Sequence, residues 1–158
     1  MHIREGSQSE RDSYFMMGFD AWHEGRTEQQ FLEALQPVER YDRGTWYVLQ
    51  GESGPVAVLI VYRSGLGLPR GCWGIGSVAT ALEHRRQGFA GTLIQHVIDL
   101  ARAESARGIY LFSGVDTAYY ARFGFACVQA PQPQDQAPCM VLALEDREEL
   151  MKAVPEFF

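Results

Sequence analysis

The pattern of apolar and polar residues divides the first part of the chain into a short strand and two helices. Residues 1–4 carry a faint strand signal, and residues 10–22 predict a helix with aromatic side chains crowded on one side. Thr27 stands three residues before Gln30, which is a helix-capping pattern. It predicts a second helix that extends through Leu35.

Strands dominate the middle of the chain. Residues 45–50 and 56–62 predict two strands joined by a glycine-containing turn, as in a hairpin, and residues 73–81 predict a fourth strand. A third helix follows, with apolar residues at the 3.6-residue spacing of a helix that covers a sheet. These residues are Ala90, Leu93, Ile94, Val97, Ile98 and Ala101.

The last part of the chain completes a mixed arrangement. Residues 109–112 predict a fifth strand, which should lie parallel to the fourth because a helix connects the two. Two further strands are predicted at 125–129 and 139–144. The predicted element order is β-α-α-β-β-β-α-β-α-β-β, and the 158 residues suit a single α/β (α+β) domain.

Composition narrows the class of protein. Hydrophobic residues make up 46% and charged residues 22% of the chain, as in ordinary globular domains, and the net charge of −6 argues against a nucleic-acid partner. There is no apolar run long enough to cross a membrane, so we expect a cytoplasmic protein with no membrane partner. The three cysteines are few and widely spaced, and neither they nor the four histidines predict a metal site.

The most informative segment is Arg85-Arg86-Gln87-Gly88-Phe89-Ala90-Gly91, between the fourth strand and the third helix. The first N–H groups of a helix have no intrahelical partner, and the helix dipole favours negative charge there. Gly88 has no Cβ to block a ligand, and the arginines are phosphate donors. The segment is neither a Walker loop nor a dinucleotide-binding glycine motif. It therefore indicates a phosphate site, with an ordinary surface turn as the alternative.

A second segment, residues 113–125, reads Ser-Gly-Val-Asp-Thr-Ala-Tyr-Tyr-Ala-Arg-Phe-Gly-Phe. Its aromatic residues can form a packing cluster at a helix–strand corner, and we favour that interpretation for Tyr119, Phe123 and Phe125. For Tyr120 we favour a functional role, because the arginine segment and this segment occur together in the chain, in that order.

Together the two segments resemble the GCN5-related N-acetyltransferases (GNAT family). The order Arg-x-x-Gly-x-Ala from Arg85 matches the pyrophosphate signature of that family, and Tyr-Tyr-x-x-Phe-Gly-Phe is similar to its second motif. The resemblance implies a central mixed, mostly antiparallel sheet of about seven strands with splayed parallel fourth and fifth strands, flanked by about four helices. It also implies that residues 1–158 form one N-acetyltransferase domain.

The same resemblance implies transfer of the acetyl group of acetyl-CoA to an amine by direct attack, through a tetrahedral intermediate, with no metal. Tyr120 takes the place of the general acid that protonates the leaving thiolate. Arg85, rather than Arg86, takes the invariant arginine position. The positions that carry over to coenzyme A binding are Val78, Ala79, Thr80, Arg85, Arg86, Gln87, Gly88, Phe89, Ala90, Gly91 and Ser113.

Several points stay open in the sequence. The predicted fourth strand contains no carboxylate, so the general base has no clear candidate among Glu83, His84, Asp116, His23 and Glu24. The acceptor is expected to be a small-molecule amine or a protein amine, and a homodimer is one open oligomeric state. A degenerate GNAT domain that senses acyl-CoA without turnover is the alternative function, and an unrelated α/β binding module is a third.

Overall fold

The computed structural model describes residues 1–158 and has a mixed α+β architecture. Seven strands form one sheet in the order β1-β2-β3-β4-β5-β7-β6. The strands are β1 (His2–Glu5), β2 (Thr45–Gly51), β3 (Gly54–Tyr62), β4 (Cys72–Thr80), β5 (Gly108–Phe112), β6 (Ala126–Cys127) and β7 (Cys139–Ala143). The pairs β1–β2, β2–β3, β5–β7 and β6–β7 are antiparallel, whereas β4 and β5 are parallel. The predicted fold class is confirmed, although β6 is shorter than the strand predicted at 125–129.

Seven helices accompany the sheet. They are α1 (Arg11–Met16), α2 (Phe19–Trp22), α3 (Glu28–Leu35), α4 (Arg40–Arg43), α5 (Phe89–Ala103), α6 (Thr117–Ala121) and α7 (Arg147–Leu150). The capping box that was predicted for α3 is present, because the Thr27 and Gln30 side chains each bond to the other's backbone N–H. The single-turn helices α4 and α7 were not predicted. None of the helices combines the length and apolarity that a bilayer crossing requires.

The helix predicted at residues 10–22 is interrupted between α1 and α2. Gly18 is buried there, and the ring of Trp22 lies over it. A Cβ built on Gly18 would stand 2.0 Å from two atoms of that ring, so a side chain at this position would displace Trp22. Met17 and Gly18 therefore form a tight corner between the two helices.

The contacts divide the chain into two compact units. The first contains residues 1–61 and 77–94, and the second contains residues 62–76 and 95–158. In the first unit, an aromatic cluster of Tyr14, Phe15, Tyr41 and Trp46 is buried to at least 95%. Its rings pack with centroid separations of 4.9–6.2 Å, which anchors α1 and α4 against β2.

The second unit contains the parallel ladder, which joins Cys72–Gly74 of β4 to Gly108–Tyr110 of β5. The buried Tyr110 hydroxyl donates a hydrogen bond of 2.6 Å to the Leu150 carbonyl, which links β5 to the end of α7. Cys72 and Cys139 are also buried in this unit, whereas Cys127 is exposed. Burial raises the pKa of the Cys72 thiol to about 11 and that of Cys139 to about 12.

Candidate functional site

The carboxyl end of β4 belongs to the first unit and departs from regular strand geometry. Ser77 has φ of 49°, a left-handed conformation that is costly for a residue with a Cβ. It lies beyond Gly74, the last residue of β4 in the parallel ladder with β5. Val78 and Thr80 are half-buried, and Ala79 is 8% exposed. The three positions predicted to pair with pantetheine thus follow directly after a strained backbone bend.

The loop between β4 and α5 exposes a run of unused backbone donors. None of the six N–H groups of residues 86–91 donates a hydrogen bond within the structure. The first backbone hydrogen bond of α5 runs from the Thr92 N–H to the Gly88 carbonyl, over 3.0 Å. The N-terminus of this 15-residue helix therefore combines unpaired donors with the positive end of the helix dipole, which suits an anion.

Glycine at position 88 is required mainly by the backbone. Gly88 has φ of 81°, a conformation that side-chain-bearing residues rarely adopt. A Cβ built there would meet no atom within 4 Å, because the loop faces open space. Arg86 also has a left-handed φ, of 62°. The loop is thus bent twice, and its N–H groups stay accessible.

The two arginines of the loop differ sharply. Arg85 donates from Nε to the Thr80 carbonyl (3.0 Å) and from one terminal nitrogen to the Met17 carbonyl (3.1 Å). Its two terminal nitrogens also bond the two carboxylate oxygens of Asp20, each over 2.7 Å. The Arg85 hydrogen bond holds the pKa of Asp20 below its usual value. Arg86 is exposed, and its side chain makes no hydrogen bond or ion pair.

Ser113 and Asp116 lie in the second unit, between β5 and α6. The Ser113 side chain is buried, and its hydroxyl donates to the Val115 carbonyl over 2.7 Å. The Asp116 carboxylate accepts the backbone N–H of Ala118 over 2.9 Å and so caps α6. Both side chains are therefore engaged in shaping this connection.

Tyr120 lies on α6, also in the second unit. Its side chain is 7% exposed, and its hydroxyl makes no hydrogen bond within the structure. Burial, with a smaller contribution from the neighbouring Tyr119, raises the pKa of Tyr120 to about 12. The phenol consequently carries its proton at neutral pH. The hydroxyl is therefore a neutral donor without a protein partner.

The aromatic cluster predicted around Tyr120 is present. The Tyr120 ring packs edge-on against Tyr119 and Phe125, with centroids 5.0 and 6.1 Å away, and Tyr119 packs on Phe123 at 5.8 Å. The Arg122 guanidinium covers both Tyr119 and Phe123, at 4.5 and 5.0 Å from their centroids. These contacts fix the orientation of the Tyr120 ring.

The candidate bases have different surroundings. Asp116 is used as a helix cap, and Nδ1 of His23 accepts the Gly25 N–H over 2.9 Å. Glu83 and His84 are not hydrogen-bonded through their side chains. Both line a cavity of about 360 Å³ beside the turn between β2 and β3.

Sequence reasoning did not find the partners of Arg85. Asp20 precedes it by 65 residues and Met17 by 68, so no local pattern links these positions. Val78–Thr80 and Arg85–Gly91 share the first unit, whereas Ser113 and Tyr120 belong to the second.

The model of the Acetyltransferase (GNAT) family matches residues 8–125, which is most of the chain and contains both motifs. None of the curated proteins matches the chain in sequence. Many solved structures share its fold.

Three of these solved structures are informative. The GNAT family N-acetyltransferase YhbS of Escherichia coli, in complex with CoA, superposes with a TM-score of 0.70 and 16% identity, covering 99% of this chain and 87% of YhbS. A GNAT family acetyltransferase of Brucella melitensis in complex with acetyl-CoA gives 0.64 and 18%, covering 99% and 92%. The ribosomal-protein-S18-alanine N-acetyltransferase of Escherichia coli gives 0.63 and 16%, covering 90% and 93%. At these identities the likeness concerns the fold.

Proposed function

Because the chain belongs to the Acetyltransferase (GNAT) family, we propose that it transfers the acetyl group of acetyl-CoA to an amine. The observation that carries this proposal is the run of six unpaired N–H groups at the start of α5, bent around Gly88. A pyrophosphate supplies the acceptors and the negative charge that such a site lacks. Solved relatives in complex with CoA or acetyl-CoA support this choice of ligand.

In this proposal the first unit binds the cosubstrate through its backbone. The N–H groups of residues 86–91 bind pyrophosphate oxygens, and the exposed Arg86 side chain adds positive charge. The backbone of Val78, Ala79 and Thr80 pairs with the pantetheine amides as an added strand would. Recognition of this kind needs no distinctive side chains, which fits the small residues present.

The reaction is a nucleophilic substitution at the thioester carbon. The amine nitrogen forms a bond to that carbon, the C–S bond breaks, and the sulfur leaves with the electron pair. Tyr120 donates its proton to the departing sulfur and is reprotonated from solvent, while the attacking nitrogen releases its surplus proton to solvent. A backbone N–H near Val78–Thr80 stabilises the oxyanion of the tetrahedral intermediate. Burial raises the pKa of the Tyr120 phenol to about 12, so the donor is present in its protonated form throughout the neutral range.

The amine must also lose a proton, since an alkylammonium with a pKa of about 10.4 is almost fully charged at pH 7. Glu83 and His84 are two candidates whose side chains are not hydrogen-bonded elsewhere, and both line the cavity of about 360 Å³. Glu24, by contrast, is paired with Arg26 at 3.9 Å. Attack by the small neutral fraction of the amine is the alternative, and it requires no base. If no base is used, the rates of the Glu83→Gln and His84→Gln variants should rise with pH as steeply as the rate of the wild-type chain, and that result favours the alternative.

A sensor that binds acyl-CoA without turnover is the second candidate. It shares the loop at Gly88 but has no need for a proton donor at Tyr120. The free hydroxyl of that tyrosine therefore favours the enzyme.

Two measurements test the proposal. Calorimetry with CoA should show one site per chain, weakened by salt because the contacts involve charge. An acetyl-CoA-dependent thiol-release assay with a panel of small amines, amino acids, aminoglycosides and peptide N-termini should then identify the acceptor class. CoA binding without thiol release for any acceptor would favour the sensor, and absence of CoA binding would refute both.

A further inference from the structure

Arg85 occupies the invariant arginine position of the phosphate motif, yet most of its side-chain donors already have protein partners. The Asp20 carboxylate matches the planar guanidinium with two hydrogen bonds of 2.7 Å. The Thr80 and Met17 carbonyls accept two more, at 3.0 and 3.1 Å. Four of its five N–H donors are therefore in use.

These partners lie at structurally sensitive places. Thr80 is the last residue of β4, and Met17 stands in the corner between α1 and α2. The bond from Arg85 Nε to the Thr80 carbonyl closes the chain from residue 80 to residue 85 into a ring. The hydrogen bonds from Arg85 to Asp20 and Met17 attach this closed segment to the corner between α1 and α2. The start of the phosphate loop, residues 85–91, is thereby held by contacts from both β4 and the α1–α2 corner.

The loop has particular need of such fixing. It contains two left-handed residues, Arg86 and Gly88, and none of the backbone N–H groups of residues 86–91 donates a hydrogen bond. A loop of that kind would lose affinity for a ligand if it had to be ordered on binding. An arginine that left Asp20 to reach a phosphate would also leave a carboxylate and two carbonyls without their donor.

We propose that Arg85 and Asp20 form a positioning pair, which holds the phosphate loop in its binding shape without itself contacting phosphate. The inference rests on the proposed binding of CoA at this loop. In this view the donors to phosphate are the backbone N–H groups and Arg86. Asp20, a carboxylate on the same unit as a polyanion site, contributes to affinity by holding Arg85.

The alternative is that Arg85 is a phosphate ligand which Asp20 merely holds back. The two views predict opposite signs for Asp20→Asn. If Arg85 is a ligand, loss of the carboxylate frees its donors and removes a negative charge, so CoA binds more tightly. If Arg85 positions the loop, the same change loosens the loop, and CoA binds more weakly.

The experiment is calorimetry with CoA on the full chain. Asp20→Asn should raise the Kd about fivefold through lost preorganisation. Glu28→Gln is the matched control, because it removes one negative charge from an exposed residue of the same unit that does not contact Arg85, and its Kd should stay within about twofold. Tighter or unchanged binding in Asp20→Asn, relative to Glu28→Gln, would overturn the inference. Failure of the wild-type chain to bind CoA would instead refute the proposed function.

A second variant guards against misfolding of Asp20→Asn. Arg85→Lys keeps the positive charge but cannot make the two-pronged contact with Asp20. A positioning role predicts that Lys loses as much CoA affinity as Arg85→Gln does, and that the loss appears in the KM for acetyl-CoA and not in kcat. A Lys variant that retains wild-type affinity while Gln loses it would show that charge on phosphate matters, and the positioning role would be wrong.

Discussion

Two connections in this molecule have the same form, a strand followed by a short loop and a helix, but they treat the helix N-terminus in opposite ways. Before α6, the Asp116 carboxylate accepts the Ala118 N–H over 2.9 Å, so the protein satisfies its own donor. Before α5, no side chain caps the helix, and the N–H groups of residues 86–91 are unpaired. The first arrangement repels an anion and the second attracts one.

In the proposed function, the start of α5 becomes a ligand site because its N–H groups are left without a capping side chain. At the start of α5, the longest helix of the chain, glycine stands in place of a capping side chain, a replacement that costs a helix only roughly a few tenths of a kcal/mol. The N–H groups beside Gly88 are left unpaired. At α6 the cap instead stabilises the single-turn helix that carries Tyr120. In the proposed function, the connection before α5 serves binding and the connection before α6 serves chemistry.

The sharpest test of this division concerns Tyr120. Tyr120→Phe keeps the ring packed against Phe125 but removes the proton donor, so kcat should fall by about 10²-fold with little change in the KM for acetyl-CoA. Steady-state kinetics with a good acceptor measures both constants. Tyr119→Phe is the control and should be nearly silent. A wild-type kcat in Tyr120→Phe would mean that this tyrosine is not the general acid and serves only in packing.

A second test converts the first connection into the second. Gly88→Asp introduces a carboxylate at the start of α5, and Gly88→Asn introduces a neutral side chain of the same shape. Both residues tolerate a left-handed backbone. The Kd for CoA should be at least about tenfold higher in the Asp variant than in the Asn variant, since only Asp repels phosphate. Equal affinities, measured by calorimetry, would show that the loop does not hold the phosphates.

The opposite change removes the cap of the second connection. Asp116→Ala should lower the free energy of unfolding by about 1 kcal/mol in urea denaturation, whereas Asp116→Asn, which can still cap, should lose less. CoA affinity should be unaffected by either change, because the proposed phosphate donors lie on the connection before α5. A stability equal to that of the wild type in Asp116→Ala would mean that the observed hydrogen bond contributes nothing.

The smallest effect concerns pH. A phenol is an acid only below its pKa, and burial raises that of Tyr120 to about 12. Between pH 7 and about pH 10, the kcat of the wild-type chain should therefore not decrease through ionisation of Tyr120. Its pH profile should have the same shape as that of Tyr120→Phe. The comparison of the two pH profiles is the measurement. A Tyr120-dependent decrease with its midpoint below pH 10 would contradict the neutral-donor role.

Much of the fold was accessible from the sequence because its signals are local. The apolar stripe from Ala90 to Ala101 predicted α5, and the Thr27–Gln30 box predicted α3, because both depend on residues three or four positions apart. The phosphate loop was accessible for the same reason. Its glycine and arginines lie within seven consecutive residues.

Other features escaped prediction. The break between α1 and α2 is local, but the apolar pattern of residues 10–22 does not reveal that the Trp22 ring lies over Gly18. The partners of Arg85 are set by a fold that brings residues 20 and 85 together. Motif matching alone therefore predicted Arg85 as a phosphate ligand but could not show that Asp20 already accepts hydrogen bonds from it.

The burial of two cysteines has a practical consequence for labelling. Thiolates, not thiols, react with maleimides and disulfide reagents, and with thiol pKa values of about 11 and 12 in a closed core, Cys72 and Cys139 are protected both sterically and chemically. Cys127 is exposed at the surface. The native chain thus offers a single attachment point for a fluorophore, two residues after Phe125 of the Tyr120 cluster. In any colorimetric measurement of released CoA, the protein itself should add a constant background of one equivalent per chain.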